Sequence, residues 1–280
     1  MQLLYGNTTT IDVDNALVLG THFAKVFCAN LPVDWFALYE VRQIDVMQEI
    51  DQPISWDERK VTVTKLTNDK APGLNKVPPN SFKALNDDKL TQLLECFNKY
   101  WMEGNDFDQW HKVQIVPVPK IGYLSNPKKW RGVTLMDIGE KIFSIILCGR
   151  AFKIIKAHEV KYQFSSTPVV GCQDGSFTLK TLIHLRHRHN LPIWFAFIYL
   201  VKYFDTSNHK LLISIKARYG SPPLRVCSAI KRMYEKSVVI LIIGKIDTFI
   251  PFKRVVKQGD SMITVLFLFI IMEFSETLPR

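Results

Sequence analysis

The feature that most constrains the fold is the run FAFIYLVKYFDTSNHKLL at residues 195–212. Its first part is almost entirely apolar, which predicts a buried strand over residues 193–200. Polar residues then predict a turn, and a new helix is expected from about residue 207. Strands mixed with long helices in this order indicate an α/β or α+β architecture.

Other segments predict the same mixture of elements. VQIVPV at residues 113–118 predicts a strand, and Gly244 lies between two apolar runs that predict a hairpin. The longest apolar run, residues 263–272, is too short for the ~20 residues that cross a bilayer and is expected to be a buried helix. The remaining helices are predicted at residues 34–50, 87–104, 136–155, 174–189, 207–219 and 222–236, and the last begins near Asp260.

The net charge of +10 is unevenly distributed along the chain. Residues 1–60 contain 4 Lys/Arg and 9 Asp/Glu, whereas residues 61–280 contain 32 and 17. We therefore predict an acidic N-terminal connector at residues 1–60, packed loosely, and a main domain at residues 61–280. The basic excess of the main domain suits a polyanion, most commonly nucleic acid, although a merely soluble basic surface is the alternative.

The cysteines and the N-terminus indicate an intracellular protein, cytoplasmic or nuclear. Five widely spaced cysteines without a CxxC pair favour reduced thiols over disulfides or a zinc site. No charged segment followed by an apolar stretch opens the chain, so no signal peptide is predicted.

A second basic feature is the histidine- and arginine-rich segment LIHLRHRHN. Arg186 and Arg188 alternate with its histidines and would repel a metal cation, so we favour a basic helix end that faces phosphate over a metal site.

Five segments, in order, resemble the motifs of reverse transcriptases of non-LTR (LINE-like) retrotransposons, and together they span about residues 61–280. They are NDKAPGLNKVPP (68–79), QIVPVPKIGYLSNPKKWRGVTLMDIGEKIFSIILCGR (114–150), CQDGSFTLKTLIHLRHRH (172–189), FAFIYLVKYFD (195–205) and VVKQGDSMITVLFLF (255–269). The resemblance implies a partial right-hand polymerase, with fingers and part of the palm built on a mixed sheet with packed helices.

The resemblance also implies roles for five residues. Lys120 and Arg131 match the fingers cations that neutralise the incoming triphosphate, since charge-assisted bonds bind phosphate strongly. Gln258 and Gly259 would lie beside the nucleotide, where glycine permits close backbone approach. Phe204 matches the aromatic gate under the sugar. Lys120 and Arg131 are alternatively ordinary surface charges. Gln258 and Gly259 are alternatively a simple turn before a helix capped by Asp260, and Phe204 is alternatively a core aromatic residue.

Several positions depart from the family pattern. Tyr199 stands where the family places its first metal-binding aspartate, and a neutral phenol does not replace a carboxylate as a magnesium ligand. No tyrosine–x–aspartate–aspartate segment precedes Arg280, so we expect the final catalytic hairpin and the thumb to be missing and no cofactor to bind, although intact family members use Mg²⁺. Tyr123, Val255 and Thr264 also depart from the usual residues.

These observations leave three hypotheses. The chain is a catalytically inactive fragment of an RNA-directed DNA polymerase, a non-catalytic remnant that binds RNA or DNA weakly and without sequence preference, or a non-functional relic. None of the three involves a membrane or a small-molecule cofactor.

Overall fold

A four-stranded mixed sheet with helices packed on it forms the described part of the chain. In this computed structural model the described residues are 12–28, 35–41, 43–158, 163–166, 170–198, 209–220, 223–251, 257 and 259–277. Tyr199, Phe204 and Gln258 lie outside them. The predicted mixed α/β class is confirmed, and the arrangement is compatible with part of a polymerase-like fold.

The sheet has the strand order β2-β1-β3-β4. Strands β1 and β3 are parallel, while β1 pairs with β2 and β3 with β4 in antiparallel hairpins. The apolar, β-branched composition of β1 and β3 suits central strands, and Gly244 supplies the positive φ of the second hairpin turn. The strands are β1 Lys112–Pro119, β2 Trp130–Leu135, β3 Val238–Ile243 and β4 Ile246–Pro251.

Most predicted helices are present within a few residues of their expected ends. The helices are α1 Asp12–Phe27, α2 Ala37–Glu40, α3 Trp56–Thr64, α4 Pro79–Lys83, α5 Asp87–Asn98, α6 Ile138–Ala157, α7 Cys172–Arg188, α8 His209–Arg218, α9 Ser228–Glu235 and α10 Met262–Thr277. None of the helices in the described ranges is both long enough and apolar enough to cross a membrane.

Three details of the helix predictions differ from the structure. The sequence predicts Asp87 as the cap of α5, but the cap is Asn86, whose side chain accepts a hydrogen bond from the Lys89 amide. A π-helical turn continues that helix as far as Gly104, whose φ of 75° ends it. The helix predicted at residues 34–50 is wrong: its described part contains only α2 and a 3-10 turn, Gln48–Asp51.

The strand predicted at residues 193–200 is also wrong in its described part. Residues 193–198 belong to no sheet, and Trp194 and Phe197 are 91% and 87% exposed. We expected this strand to be central, beside the second hairpin. In the described sheet β3 is paired with β1 on one side and β4 on the other, and residues 193–198 pair with neither strand of the hairpin.

The N-terminal segment packs more tightly than expected. Helix α1 contributes Leu19 and Phe23 to the core, and Gly20 lies against Thr248 of β4. A Cβ on Gly132 would also lie 3.0 Å from the Phe23 ring, so α1 covers one face of both hairpins. The loose packing predicted for residues 1–60 is therefore wrong where the segment is described, while the domain division itself stays a prediction.

The core beside the sheet is rich in aromatic rings around Phe143 of α6. The Tyr100, Trp110 and Phe97 rings lie 5.0, 5.4 and 5.6 Å from it, between centroids. Edge-on and tilted contacts of this kind add roughly 0.5–1.5 kcal/mol per pair beyond area burial. The cluster fixes α6 against the chain that leads into β1.

Arg150, just beyond the middle of α6, is a buried cation with five hydrogen bonds. Its Nε and one Nη bind the two carboxylate oxygens of Glu58 at 2.8 and 2.7 Å. The other bonds go to the carbonyls of Ile50, Gln52 and Pro53. Burial would raise the pKa of the Glu58 carboxyl, but the bonds from Arg150 and Ser55 outweigh it and lower that pKa.

We predict that Arg150→Met lowers the free energy of unfolding by about 3–5 kcal/mol, because three carbonyls and a carboxylate lose their donor. Arg150→Lys should also destabilise, since an ammonium cannot reproduce the planar fork. Urea unfolding followed by tryptophan fluorescence measures both. Lys153→Met, at an exposed position on the same helix, is the control, and equal effects at the two positions would contradict the role of Arg150.

Candidate nucleic-acid interface

The β1–β2 hairpin carries a basic open groove of ≈ 830 Å³. Lys120, Lys128, Lys129 and Arg131 line it together with Val118, Pro119, Ile121 and Asn126. All four cations are exposed, and none forms an ion pair with a described residue. The structure thus brings together Lys120 and Arg131, the two predicted triphosphate ligands.

The strand register explains why these side chains share one face. Arg131 lies directly opposite Val118 in the ladder. Lys120 follows Val118 by two residues, and alternate residues of a strand point to the same side. Lys120 donates its amide to the carbonyl of Lys129 at 2.7 Å, so these two like charges are neighbours across the hairpin.

The loop that joins the two strands is held by its own hydrogen bonds. The Asn126 side chain accepts from the Lys128 amide at 3.0 Å, and the Asn126 amide donates to the Tyr123 carbonyl at 3.2 Å. The Trp130 indole donates to the Leu124 carbonyl at 2.8 Å. These bonds fix the backbone from which the lysines project. Sequence reasoning did not single out Lys128 and Lys129, although the segment NPKKW was the available signal.

A second motif of the sequence packs where β2 leads into α6. The position of a Gly73 Cβ would lie 2.6 Å from the carbonyl of Met136, so only glycine fits there. Next to it, the Asn75 amide binds one oxygen of Asp137, whose other oxygen caps α6 by accepting from the Gly139 amide at 2.7 Å. The proline- and glycine-rich loop is therefore fixed to the strand that carries Arg131.

Gly259 approaches the same strand from the C-terminal part of the chain. Its φ is 123°, and a Cβ there would lie 2.9 Å from the Thr134 carbonyl. The close backbone approach expected of Gly259 is thus made to β2. A contact with a nucleotide stays a prediction, as does the role of Gln258.

Buried polar bonds secure the loop around Gly259. Asp260 accepts from the Met262 amide at 3.0 Å, as the predicted helix cap, and from the hydroxyls of Ser144 and Tyr234. Burial and the Asp260 carboxylate hold the pKa of the Tyr234 hydroxyl well above its ordinary range, so this hydroxyl remains a donor.

Lys257 and Glu140 form a fully buried ion pair next to this loop. Lys257 also donates to the Trp110 carbonyl at 3.3 Å. Burial raises the pKa of Glu140 to about 7, against the opposing effect of Lys257. An ion pair of this kind costs desolvation and adds little stability by itself. It fixes which part of the C-terminal chain lies against α6.

Asp137 and Asp260 are the carboxylates next to the end of β2. Each of their oxygens accepts at least one of the hydrogen bonds given above. In the described ranges, no group of three or more His, Cys, Asp or Glu side chains is arranged to hold a metal. We therefore assign no metal chemistry to these residues.

Arg186 and Arg188 lie on a different element, at the exposed C-terminal end of α7. The Arg186 guanidinium donates to the Pro192 carbonyl, with its Nε at 3.1 Å, and so closes the turn after the helix. Arg188 is exposed at the same end. The structure gives Arg186 a local structural role and leaves nucleic-acid binding by either residue a prediction.

Sequence comparison connects the chain with retrotransposon proteins. It is 26% identical over 219 residues to the uncharacterized 149 kDa protein of transposon TX1 from Xenopus laevis, covering 76% of this chain and 16% of that protein. Two Pol polyproteins also match. That of the type-2 element R2DM of Drosophila melanogaster is 22% identical, covering 79% and 20% of the two chains. That of the type-1 element R2 of Popillia japonica is 24% identical, covering 59% and 23%. No protein-family model matches the chain.

These matches confirm the resemblance found in the sequence: the chain is similar to part of the Pol proteins of retrotransposons. More particularly, the similarity is to reverse-transcriptase-like proteins of non-LTR elements. The chain spans between 16% and 23% of the length of these relatives.

We predict that Gly73→Ala destabilises the protein by about 1–3 kcal/mol, because the added methyl must displace the backbone of Met136 and Asp137 between β2 and α6. Gly149 is the matched control, since it is in α6 and a Cβ there has no neighbour within 4 Å. Gly149→Ala should stabilise by roughly 0.5–1 kcal/mol. Chemical unfolding of both variants tests the packing; destabilisation by Gly149→Ala, or none by Gly73→Ala, would refute it.

Proposed function

We propose that this chain is a fingers and partial palm segment of a non-LTR reverse transcriptase that binds the phosphates of RNA or DNA with its β1–β2 hairpin. The observation that carries the proposal is the groove with four exposed cations and no ion pair to a described residue. Binding would be weak and independent of sequence, in a cytoplasmic or nuclear protein.

The energetics of the hairpin support this reading. Like charges placed opposite each other on a hairpin destabilise it, and Lys120 and Lys129 are neighbours of this kind. The hairpin nevertheless holds its lysines on a loop with fixed backbone bonds. A polyanion would neutralise all four charges at once and release the counterions that it carries.

The packing of the motifs supports the proposal that the chain is a fingers and partial palm segment. Gly73 and Gly259 belong to segments almost two hundred residues apart, yet both contact the backbone between Thr134 and Asp137. Three of the five motifs therefore meet at the strand that carries Arg131. In a polymerase this arrangement would place the hairpin cations over the nucleotide and the template.

The same proposal includes the absence of DNA synthesis by this chain. In the resembling family a carboxylate that holds magnesium stands where this sequence has Tyr199, and the oxygens of Asp137 and Asp260 accept hydrogen bonds within the fold. The segment would then keep phosphate binding without phosphoryl transfer, because catalysis of that reaction depends on positioned cations.

We predict that Lys129→Glu with Arg131→Glu weakens the binding of single-stranded RNA of any sequence. Two lost phosphate contacts should reduce the slope of log K against log salt by about 1.4. Fluorescence anisotropy of a labelled oligonucleotide at several salt concentrations measures both quantities.

Two control variants accompany this measurement. Lys60→Glu with Lys153→Glu makes the same change in net charge at exposed positions of α3 and α6 and should leave the slope unchanged. The double variant Arg186→Glu with Arg188→Glu measures how much the C-terminal end of α7 contributes to nucleic-acid binding. Equal losses in the hairpin and control variants, or binding indifferent to salt, would refute a hairpin site.

We predict that the purified chain does not extend a primer on an RNA or DNA template with Mg²⁺ or Mn²⁺. Gel analysis with a labelled primer tests this, with an active reverse transcriptase as the positive control. Primer extension by the wild-type chain that is lost in the Tyr199→Phe variant would overturn the proposed loss of catalysis.

A further inference from the structure

The tip of the β1–β2 hairpin presents exposed apolar side chains between its cations. Ile121 is 99% exposed and Tyr123 is 86% exposed, and Leu124 beside them is also exposed. Single exposed apolar residues are ordinary on protein surfaces. Here three lie within four residues, on a loop whose charges belong to the proposed phosphate site.

The Tyr123 ring is not used by the fold. The structure gives the Tyr123 carbonyl a backbone bond to Asn126, whereas its side chain projects into solvent. The backbone that follows Tyr123 is also held, because the Trp130 indole donates to the Leu124 carbonyl at 2.8 Å. A ring that projects from a rigid loop loses little conformational entropy when another flat group covers it.

Charge lies next to this ring. A Cβ on Gly122 would lie 3.5 Å from the Lys129 amino nitrogen, so the ammonium group lies against the residue that precedes Tyr123. Lys120 and Lys128 line the same groove. An aromatic face beside several phosphate-binding cations is the combination by which proteins hold single strands, with bases stacked on rings and phosphates on lysines.

We propose that Tyr123 is a stacking platform for an unpaired base, and that the hairpin therefore prefers single-stranded nucleic acid to a duplex. In a duplex the bases are stacked on each other and their faces are closed to a protein ring. The inference rests on the proposed phosphate binding and adds the strandedness of the ligand.

The test compares wild type and Tyr123→Ala on three fluorescein-labelled probes: a 12-nucleotide single-stranded RNA, the blunt duplex of the same sequence, and the single strand with its central bases removed. One lost stacking contact should weaken single-strand binding roughly fivefold or more and duplex binding by less than about twofold. The abasic strand should bind both proteins about equally. The salt slope should not change, because the phosphate contacts remain.

Two further variants make the result specific. Tyr123→Trp should bind the single strand at least as tightly as wild type, because its larger ring still stacks. Phe249→Ala removes a ring that is also exposed, on the opposite edge strand β4, and should change nothing. Both positions are on the surface, and circular dichroism checks that the variants fold.

Each negative outcome has its own meaning. Salt-dependent binding that Tyr123→Ala leaves unchanged, or weakens equally on the single strand and the abasic strand, overturns the stacking proposal and leaves the phosphate site intact. If ATP displaces the single strand and this displacement depends on Tyr123, the ligand is a free nucleotide, and the stacking proposal is also overturned. A wild-type protein that binds no probe at low salt removes the proposed function and this inference together.

Discussion

The buried guanidinium of Arg150 is the interaction on which much of the helical layer depends. Without it, the buried carbonyl of Ile50 and the part-buried carbonyls of Gln52 and Pro53 would lose their common donor. The Glu58 carboxylate of α3 accepts the remaining hydrogen bonds of Arg150. Helix α3 itself begins with a capping box between Ser55 and Glu58. One side chain thus joins the irregular N-terminal chain to the longest helix.

That helix connects the Arg150 contacts to the hairpin junction. Helix α6 contains 20 residues, which corresponds to about 30 Å of length. Asp137 caps the end where β2 arrives, Phe143 of the aromatic cluster lies in the second turn from that end, and Arg150 lies just beyond the middle of the helix. The orientation of the basic hairpin therefore depends on packing contacts that are distant from any phosphate it would bind.

Sequence patterns predicted the local elements well and their partners less well. Strands β1, β3 and β4 and helices α6, α7 and α10 followed from apolar runs and turn residues within a few positions. The strand expected around residue 195 failed because an apolar run predicts burial without specifying a partner, and β1 occupies the place beside β3. Helix α1 was underestimated because acidic composition hid the apolar stripe that contains Leu19 and Phe23.

The candidate site divides in the same way. Lys120 and Arg131 could be selected from the motif, but their shared face depends on the ladder register, and the contact of Gly259 with β2 depends on packing between distant segments. No pattern in the sequence indicates that both carboxylate oxygens of Asp137 and of Asp260 accept hydrogen bonds within the fold. Such details require the fold, because they arise from pairs of residues far apart in sequence.

The parallel pairing of β1 with β3 has a consequence for the biogenesis of the protein. Lys112 lies opposite Val238, with 125 residues between them, so at a synthesis rate of roughly 5–20 residues per second the ribosome adds the intervening chain in about 6–25 s. Over that interval the β1–β2 hairpin is complete, while the other side of β1 has no strand to pair with. Strand β1, which is central in the folded sheet, is therefore an unprotected edge strand early in synthesis. The nascent chain is exposed to intermolecular β-pairing until β3 emerges.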